Sequence, residues 1–155
     1  MSICDLIVVM KDGMLQQIDM PQKVYDDPEN LFVAKFLGTP PINVFRGSVK
    51  NGQLYIGEAA VMEVGAADME EVTVAIRPEG FIPCQDGVLT CELKRIEVMG
   101  RDTSMVCDHS AFTGEAFRAI VDSQDVNVSG GKVSFRLRPA KVLLFNAEDG
   151  SRIRF

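Results

Sequence analysis

The sequence predicts a mainly β protein, a small barrel or sandwich of short strands with a β-hairpin and two short helices ahead of it. Three observations carry this. From Phe45 onward, apolar runs of strand length alternate with glycine- and asparagine-rich turns at close spacing, and helical periodicity is scarce. Between positions 20 and 38 the chain instead carries start and stop signals of helices. Ahead of those, two apolar runs flank Lys11-Asp12-Gly13, and the Asp-Gly pair favours a tight hairpin turn.

The first run, Leu6-Ile7-Val8-Val9-Met10, is continuous and partly β-branched, and the chain resumes with Met14-Leu15-Gln16-Gln17-Ile18. A continuous run, unlike an alternating one, implies a strand covered on both faces, as at the centre of an α/β sheet. No further strand–helix unit accompanies it, so the hairpin reads as the last piece of a larger domain. Without that domain it is expected to pair with another copy, fold onto the barrel or lose its order. Pro21 suits a first helical turn, which sets a short helix over 22–25, ended by Asp26-Asp27-Pro28. Asn30 is a good N-cap for a second helix, with Leu31, Phe32, Val33, Phe36 and Leu37 as its apolar stripe and Gly38 as its stop. Thr39-Pro40-Pro41 is a stiff linker. The organisation is therefore a tail unit over 1–38, a linker over 39–44 and a β unit over 45–155.

Strands are expected over 45–50, 53–56, 72–76, 87–99, 103–108, 115–121, 132–137 and 142–146. Turns are expected at Asn51-Gly52, Gly65, Gly100, Gly114, Gly130-Gly131 and Asp149-Gly150. A weak internal echo is present: Val74-Ala75-Ile76-Arg77-Pro78 and Phe135-Arg136-Leu137-Arg138-Pro139 both end a strand on Arg-Pro.

Composition narrows the function classes. The 155 residues include 16 Lys and Arg against 22 Asp and Glu, a formal net charge of −6. A duplex-binding protein presents a basic face to phosphate, so this balance argues against nucleic acid, and equally against docking on anionic lipid. Four cysteines at irregular spacing and one histidine suggest neither a disulfide frame nor a zinc site. No apolar run approaches the ~20 residues of a membrane span, and an acid at position 5 with no basic leader argues against a secretory signal.

At this point the chain resembles a known family. Asp5-Leu6-Ile7-Val8-Val9-Met10-Lys11-Asp12-Gly13 with Ile18-Asp19-Met20-Pro21 is similar to the last hairpin of an ABC transporter nucleotide-binding domain. The stretch from Tyr25-Asp26-Asp27-Pro28 through Phe36-Leu37-Gly38-Thr39-Pro40-Pro41-Ile42-Asn43 resembles the join to the C-terminal extension of maltose-type ATPase subunits. Val74-Ala75-Ile76-Arg77-Pro78-Glu79 resembles that extension's G-I-R-P-E strand, and Glu97-Val98-Met99-Gly100-Arg101-Asp102-Thr103 its E-x-L-G-x-[DE]-T turn. Arg138-Pro139-Ala140-Lys141-Val142-Leu143-Leu144-Phe145-Asn146 with Gly150 resembles its closing strand. Five motifs in order over nearly the whole chain make the likeness specific, where each alone is weak.

The resemblance implies an OB-fold-like β-barrel of the transport-associated (TOBE) type, preceded by a hairpin and two short helices left over from an ABC ATPase domain. It implies a regulatory and dimerisation role in a sugar or glycerol-phosphate importer, on the cytoplasmic side and peripheral to the membrane. Homodimerisation, membrane subunits of the transporter and cytoplasmic regulatory proteins are the implied partners, with no nucleic acid and no direct membrane insertion. The chain contains no G-x-x-x-x-G-K-[ST] loop and no acid of Walker-B type after an apolar strand. It is accordingly expected not to hydrolyse ATP by itself and to hold no cofactor, ATP and magnesium belonging to the parent subunit.

No catalytic or metal-binding residue is expected. The candidate dimer or regulator contacts are Arg77, Glu79, Gly100, Asp102, Arg136 and Arg138. Each also has a plainer reading. Alternation sets Arg77 and Glu79 on one face, where they could pair with each other or with a strand neighbour. Gly100 and Asp102 form a turn in which glycine permits positive φ and aspartate bonds nearby backbone. Arg136 and Arg138 make a basic stripe opposite Phe135 and Leu137, equally suited to a solvated face. Asp108 beside His109 resembles a base with its orienter but lacks a nucleophile in matching context. Two other functions are open: a small-ligand or oxyanion-binding module, and an OB-type single-strand nucleic-acid binder, which the acidic charge and the absence of tryptophan disfavour.

Overall fold

The computed structural model describes residues 6–38, 40–126 and 130–155. Cys4 and Asp5, which contribute to the readings above, and Thr39 of the linker lie outside the described residues.

The tail unit opens with an antiparallel hairpin of β1 (Ile7–Lys11) and β2 (Met14–Asp19). Asp12 at φ 51° and Gly13 at φ 78° supply the two left-handed residues that a type I′ turn needs. α1 (Pro21–Asp26) starts on its proline. α2 (Leu31–Phe36) is capped by Asn30, whose Oδ1 accepts from the Val33 N–H at 3.0 Å.

The β unit is barrel-like and built from two antiparallel sheets. β3 (Asn43–Lys50), β4 (Gln53–Ile56), β5 (Ala59–Glu63), β6 (Met69–Ile76), β12 (Val142–Asn146) and β13 (Arg152–Ile153) form one, in the order β13-β12-β6-β3-β4-β5. β7 (Phe81–Pro83), β8 (Leu89–Met99), β9 (Asp102–Asp108), β10 (Phe117–Asp122) and β11 (Lys132–Leu137) form the other, in the order β10-β9-β8-β11-β7. Their inner faces meet over one core that is aromatic at its centre. Phe45 lies 5.0 Å from Phe117 and Phe81 lies 5.1 Å from Phe135, ring centroid to centroid, edge on in both pairs. Such pairs add ~0.5–1.5 kcal/mol each beyond the area they bury.

The two Arg-Pro echoes turn out to be structural partners. β6 leaves the first sheet at Arg77-Pro78 and enters the second as β7; β11 leaves the second sheet at Arg138-Pro139 and enters the first as β12. β6 pairs with β12 and β7 with β11. The two corners are tied to each other, since the Arg77 N–H donates to the Lys141 carbonyl at 3.1 Å and the Arg138 N–H to the Gly80 carbonyl at 2.8 Å.

Strand existence agrees with the sequence, apart from β5, β7 and β13. These are short, and neither Ala59-Ala60 nor Pro83 carries a strand signal. β10 begins at Phe117 rather than 115. The strand expected over 87–99 begins at Leu89 and carries a bulge between Leu93 and Arg95. Asn43 and Val44, read as linker, already belong to β3.

The hairpin departs from expectation. It is formed, with Ile7 and Val9 packed on Val24, Phe32, Val33 and Leu37. The opposite face, made of Leu6, Val8, Met10, Leu15, Ile18 and Met20, is exposed. The hairpin is neither disordered nor folded onto the barrel: packing of one face against its own two helices holds it. The segments covered on both faces are instead in the barrel. Val142-Leu143-Leu144-Phe145 and Val74-Ala75-Ile76 are buried throughout. Their outer residues Ala75, Leu143 and Phe145 join Ile42 and Val44 under Ala34 and Leu31 of α2. α2 is thus a wedge, with Val33 on the hairpin side and Ala34 on the barrel side.

Candidate functional site

The polar groups of the tail and the barrel converge at one junction, built outward from Arg77. Strand β6 ends where Pro78 fixes the backbone, and a single 3₁₀ turn over Pro78–Gly80 leads into β7. Gly80 is required there, because a Cβ would sit 2.9 Å from the Lys141 Cβ and 3.0 Å from Ile76. The turn aims Arg77 at the helical ends of the tail, and its side chain is only 2% exposed.

The Arg77 guanidinium donates from Nη1 to the carbonyls of Ala34 at 3.0 Å and Leu37 at 2.9 Å, and from Nη2 to the Tyr25 carbonyl at 2.7 Å. These lie in or just past the last turns of α2 and α1, where carbonyls lack helical partners. The guanidinium carbon also lies 3.9 Å from the Tyr25 ring centroid. Tyr25 Oη in turn donates to Glu79, at 2.7 Å and 3.0 Å to its two carboxylate oxygens. Lys141 Nζ stands 3.7 Å from Glu79 and 3.9 Å from Asp26. Burial holds the Arg77 guanidinium below its ordinary value, opposed by the nearby Tyr25, Glu79 and Asp26. Burial and then the hydrogen bond to Glu79 push the Tyr25 phenol well above its usual range.

A second tie lies at the other edge of the tail. Arg152 Nη1 donates to Asp27 Oδ1 at 2.9 Å and to the Pro28 carbonyl at 2.9 Å, and Arg154 also binds Asp27. Leu31 N–H donates to the Gly150 carbonyl at 2.9 Å. The bond from Arg154, more than any other cause, holds the Asp27 carboxyl below the usual carboxylate range.

The residues singled out in the sequence fall in three places. Arg77 is enclosed by the tail, so its side chain presents no surface to a partner; it does not pair with Glu79 directly but grips the same tyrosine. Glu79, Asp102 and Arg138 border a shallow surface groove of about 420 Å³ that also includes Ile82, Asp122 and Lys141. Arg138 Nε donates to the Glu79 carbonyl at 3.2 Å. Asp102 opens β9 directly opposite Asp122. Gly100 takes φ 72° as the turn requires, and its carbonyl accepts from Ser123 Oγ at 3.1 Å. Arg136 is exposed on β11 opposite Ile82, with Phe135 and Leu137 buried on the other face. His109 Nδ1 accepts from the Ala111 N–H at 3.0 Å, and the ring lies edge-on to Phe45; it serves the loop that closes the barrel. Tyr25, Asp27, Lys141 and Arg152 were not singled out by sequence as contacts; the unmet carbonyls that two short helices leave at their ends are the signal that could have pointed toward them.

Among the described residues no group of His, Cys, Asp and Glu is arranged to hold a metal ion, and no helix is long and apolar enough to cross a membrane.

No family model matches the chain. Similar proteins do. An sn-glycerol-3-phosphate import ATP-binding protein of Jannaschia sp. (strain CCS1) is 32% identical over 155 residues, covering 99% of this chain and 43% of that protein. A lactose transport ATP-binding protein of Rhizobium radiobacter is 34% identical over 172 residues, covering 99% and 46%. An oligosaccharides import ATP-binding protein of Bacillus subtilis (strain 168) is 30% identical over 170 residues, again covering 99% and 46%. The chain spans less than half the length of the curated relatives it matches, and aligns with their C-terminal part.

Proposed function

We propose that this chain, similar throughout to the C-terminal region of ATP-binding subunits of ABC-type sugar and glycerol-phosphate importers, is the regulatory and dimerisation region of such a subunit. The observation that supports its place behind an ATPase domain is the bare face of the hairpin. Six apolar side chains stand exposed on it, and a contiguous exposed apolar face of this kind marks an interaction surface. A preceding nucleotide-binding domain, of the kind the relatives' names imply, would cover that face and make β1 and β2 part of its sheet. The sequence itself contains no phosphate-cradling loop, so nucleotide chemistry belongs to that preceding part.

In this reading the barrel rides on the tail of each ATPase domain. Two barrels associate and stay together while the ATPase domains open and close, and the groove between Glu79 and Arg138 is offered to regulatory proteins. Membrane subunits of the transporter hold the assembly at the inner face of the membrane.

Sedimentation velocity of the chain at rising concentration tests the association. A dimer is expected, and it should persist when Val8 and Ile18 are both replaced by threonine, because the barrels and not the bare hairpin make the contact. A species that stays monomeric at high concentration, or a dimer abolished by those two substitutions, overturns the dimerisation role.

A further inference from the structure

We propose that Arg77 is a releasable latch between tail and barrel, a positioning residue whose loss frees the tail while the barrel stays folded. The inference rests on contacts within this chain alone and does not need the transport reading.

The tail meets the barrel through little apolar surface, chiefly Ala34 and Leu31 of α2 against the outer face of β3, β6 and β12. The remaining junction is polar and has two centres, Arg77 at one edge and Arg152 with Arg154 at the other. A single guanidinium satisfies carbonyls from both short helices, which connects α1 and α2 to each other as well as to the barrel. Helices of six residues have little stability of their own, so they depend on partners at their ends as well as on packing against the hairpin. The same barrel corner supplies Glu79 to the hydroxyl of the tyrosine on which Arg77 stacks, so Tyr25 is gripped from two directions. Gly38 fits against this arrangement, with the Arg77 Nη1 and the Tyr25 ring each 3.4 Å from where a Cβ would be.

Two features make the latch releasable. Arg77 Nε is buried with no hydrogen-bond partner among the described residues, as is Arg152 Nε. The Arg77 guanidinium, however, has no carboxylate bonded to it whereas Arg152 is paired with Asp27, so the closed state leaves more of the Arg77 charge uncompensated. The tie of Arg152 to Asp27 and Pro28 is separate from Arg77 and keeps the tail attached when Arg77 lets go. Opening then loosens the tail without detaching it.

Native-state hydrogen exchange on the chain and on its Arg77→Met variant reads this directly. The reporters in the tail are the amides of Val24 and Ala34, which donate to Met20 and Asn30; those in the barrel are Arg46 and Asn146, which donate to Ala111 and Ser151. Exchange in the tail is expected to accelerate about tenfold or more and that of the barrel amides to stay within about twofold, as a local opening demands. Arg77→Lys should not restore protection, because one ammonium cannot span three carbonyls on two helices. Should Arg77→Met fail to fold, Tyr25→Leu, which removes the stacking surface and leaves Arg77 in place, must show the same selective acceleration to a smaller degree. Equal acceleration in tail and barrel, no acceleration at all, or full rescue by lysine overturns the proposal.

Discussion

Val8 and Val9 are neighbours on one strand, yet the structure gives them opposite energetics. Val9 is fully buried against the helices and Val8 is 53% exposed. Replacement by threonine keeps the β-branched shape and exchanges one methyl for a hydroxyl, so the comparison isolates solvation. At Val9 the hydroxyl would enter the cluster of Val24, Val33 and Leu37, and burying it without a sure partner costs about 1–3 kcal/mol. At Val8 it would face water, and the change should stay within about 0.5 kcal/mol. The chain contains two tyrosines, Tyr25 in the tail and Tyr55 in the barrel. In a Tyr55→Phe background, tyrosine fluorescence during urea unfolding therefore reports the tail. Val9→Thr should lower that midpoint clearly and Val8→Thr should leave it almost unmoved. In a complete subunit, if the preceding domain covers the hairpin, Val8→Thr should become as damaging as Val9→Thr. Equal costs in the isolated chain would refute the reasoning, since they would mean that both faces are already covered.

Acid should weaken the tail. The Asp27 carboxyl is held below its unfolded value by Arg154 and Arg152, so its contribution is present above the unfolded pKa and is lost as pH falls through the folded one. Because the pair is partly exposed, the effect should be no more than about 1 kcal/mol. It is measurable as a falling urea midpoint below pH ~4 that Asp27→Asn abolishes. Gly87→Ala and Gly65→Ala should differ sharply. A Cβ at Gly87 would lie 2.5 Å from the Phe135 nitrogen and 2.7 Å from the Ser134 carbonyl carbon, both backbone, whereas nothing lies within 4 Å at Gly65. Thermal melts should show a loss of about 1–3 kcal/mol for the first and no loss for the second.

Much of the fold was legible because its signals are local. Asp12-Gly13 and Asn51-Gly52 adopt the left-handed pairs that their chemistry favours, and Asn30 caps α2 as its position suggests. The three strands that escaped notice are short and depend on neighbours for their pairing. The rule that a continuous apolar run is covered on both faces was applied to the hairpin, where only one face is packed and the other is exposed. In the barrel the same rule identifies β12 and the end of β6, whose outer faces lie beneath α2. The junction was harder to read. Alternation past the end of β6 puts Arg77 and Glu79 on a common side, but it says nothing of a tail forty or more positions away that encloses the first and leaves the second half-exposed. A buried arginine that bonds only main-chain oxygens has no sequence partner to betray it.

The reciprocal exchange of strands at the two Arg-Pro corners has a consequence for how the molecule assembles. Arg77 is oriented by a bond to the Lys141 carbonyl, and the other end of the tail waits for Gly150 and Arg152. A nascent chain that has passed position 77 therefore has the gripping residue but not the scaffold that aims it. Folding is paced by distant partners, and non-local pairing of this kind is slow. The tail over 6–38 thus draws its polar docking partners from positions 77 to 154, and its attachment has to wait for the strands that close the barrel.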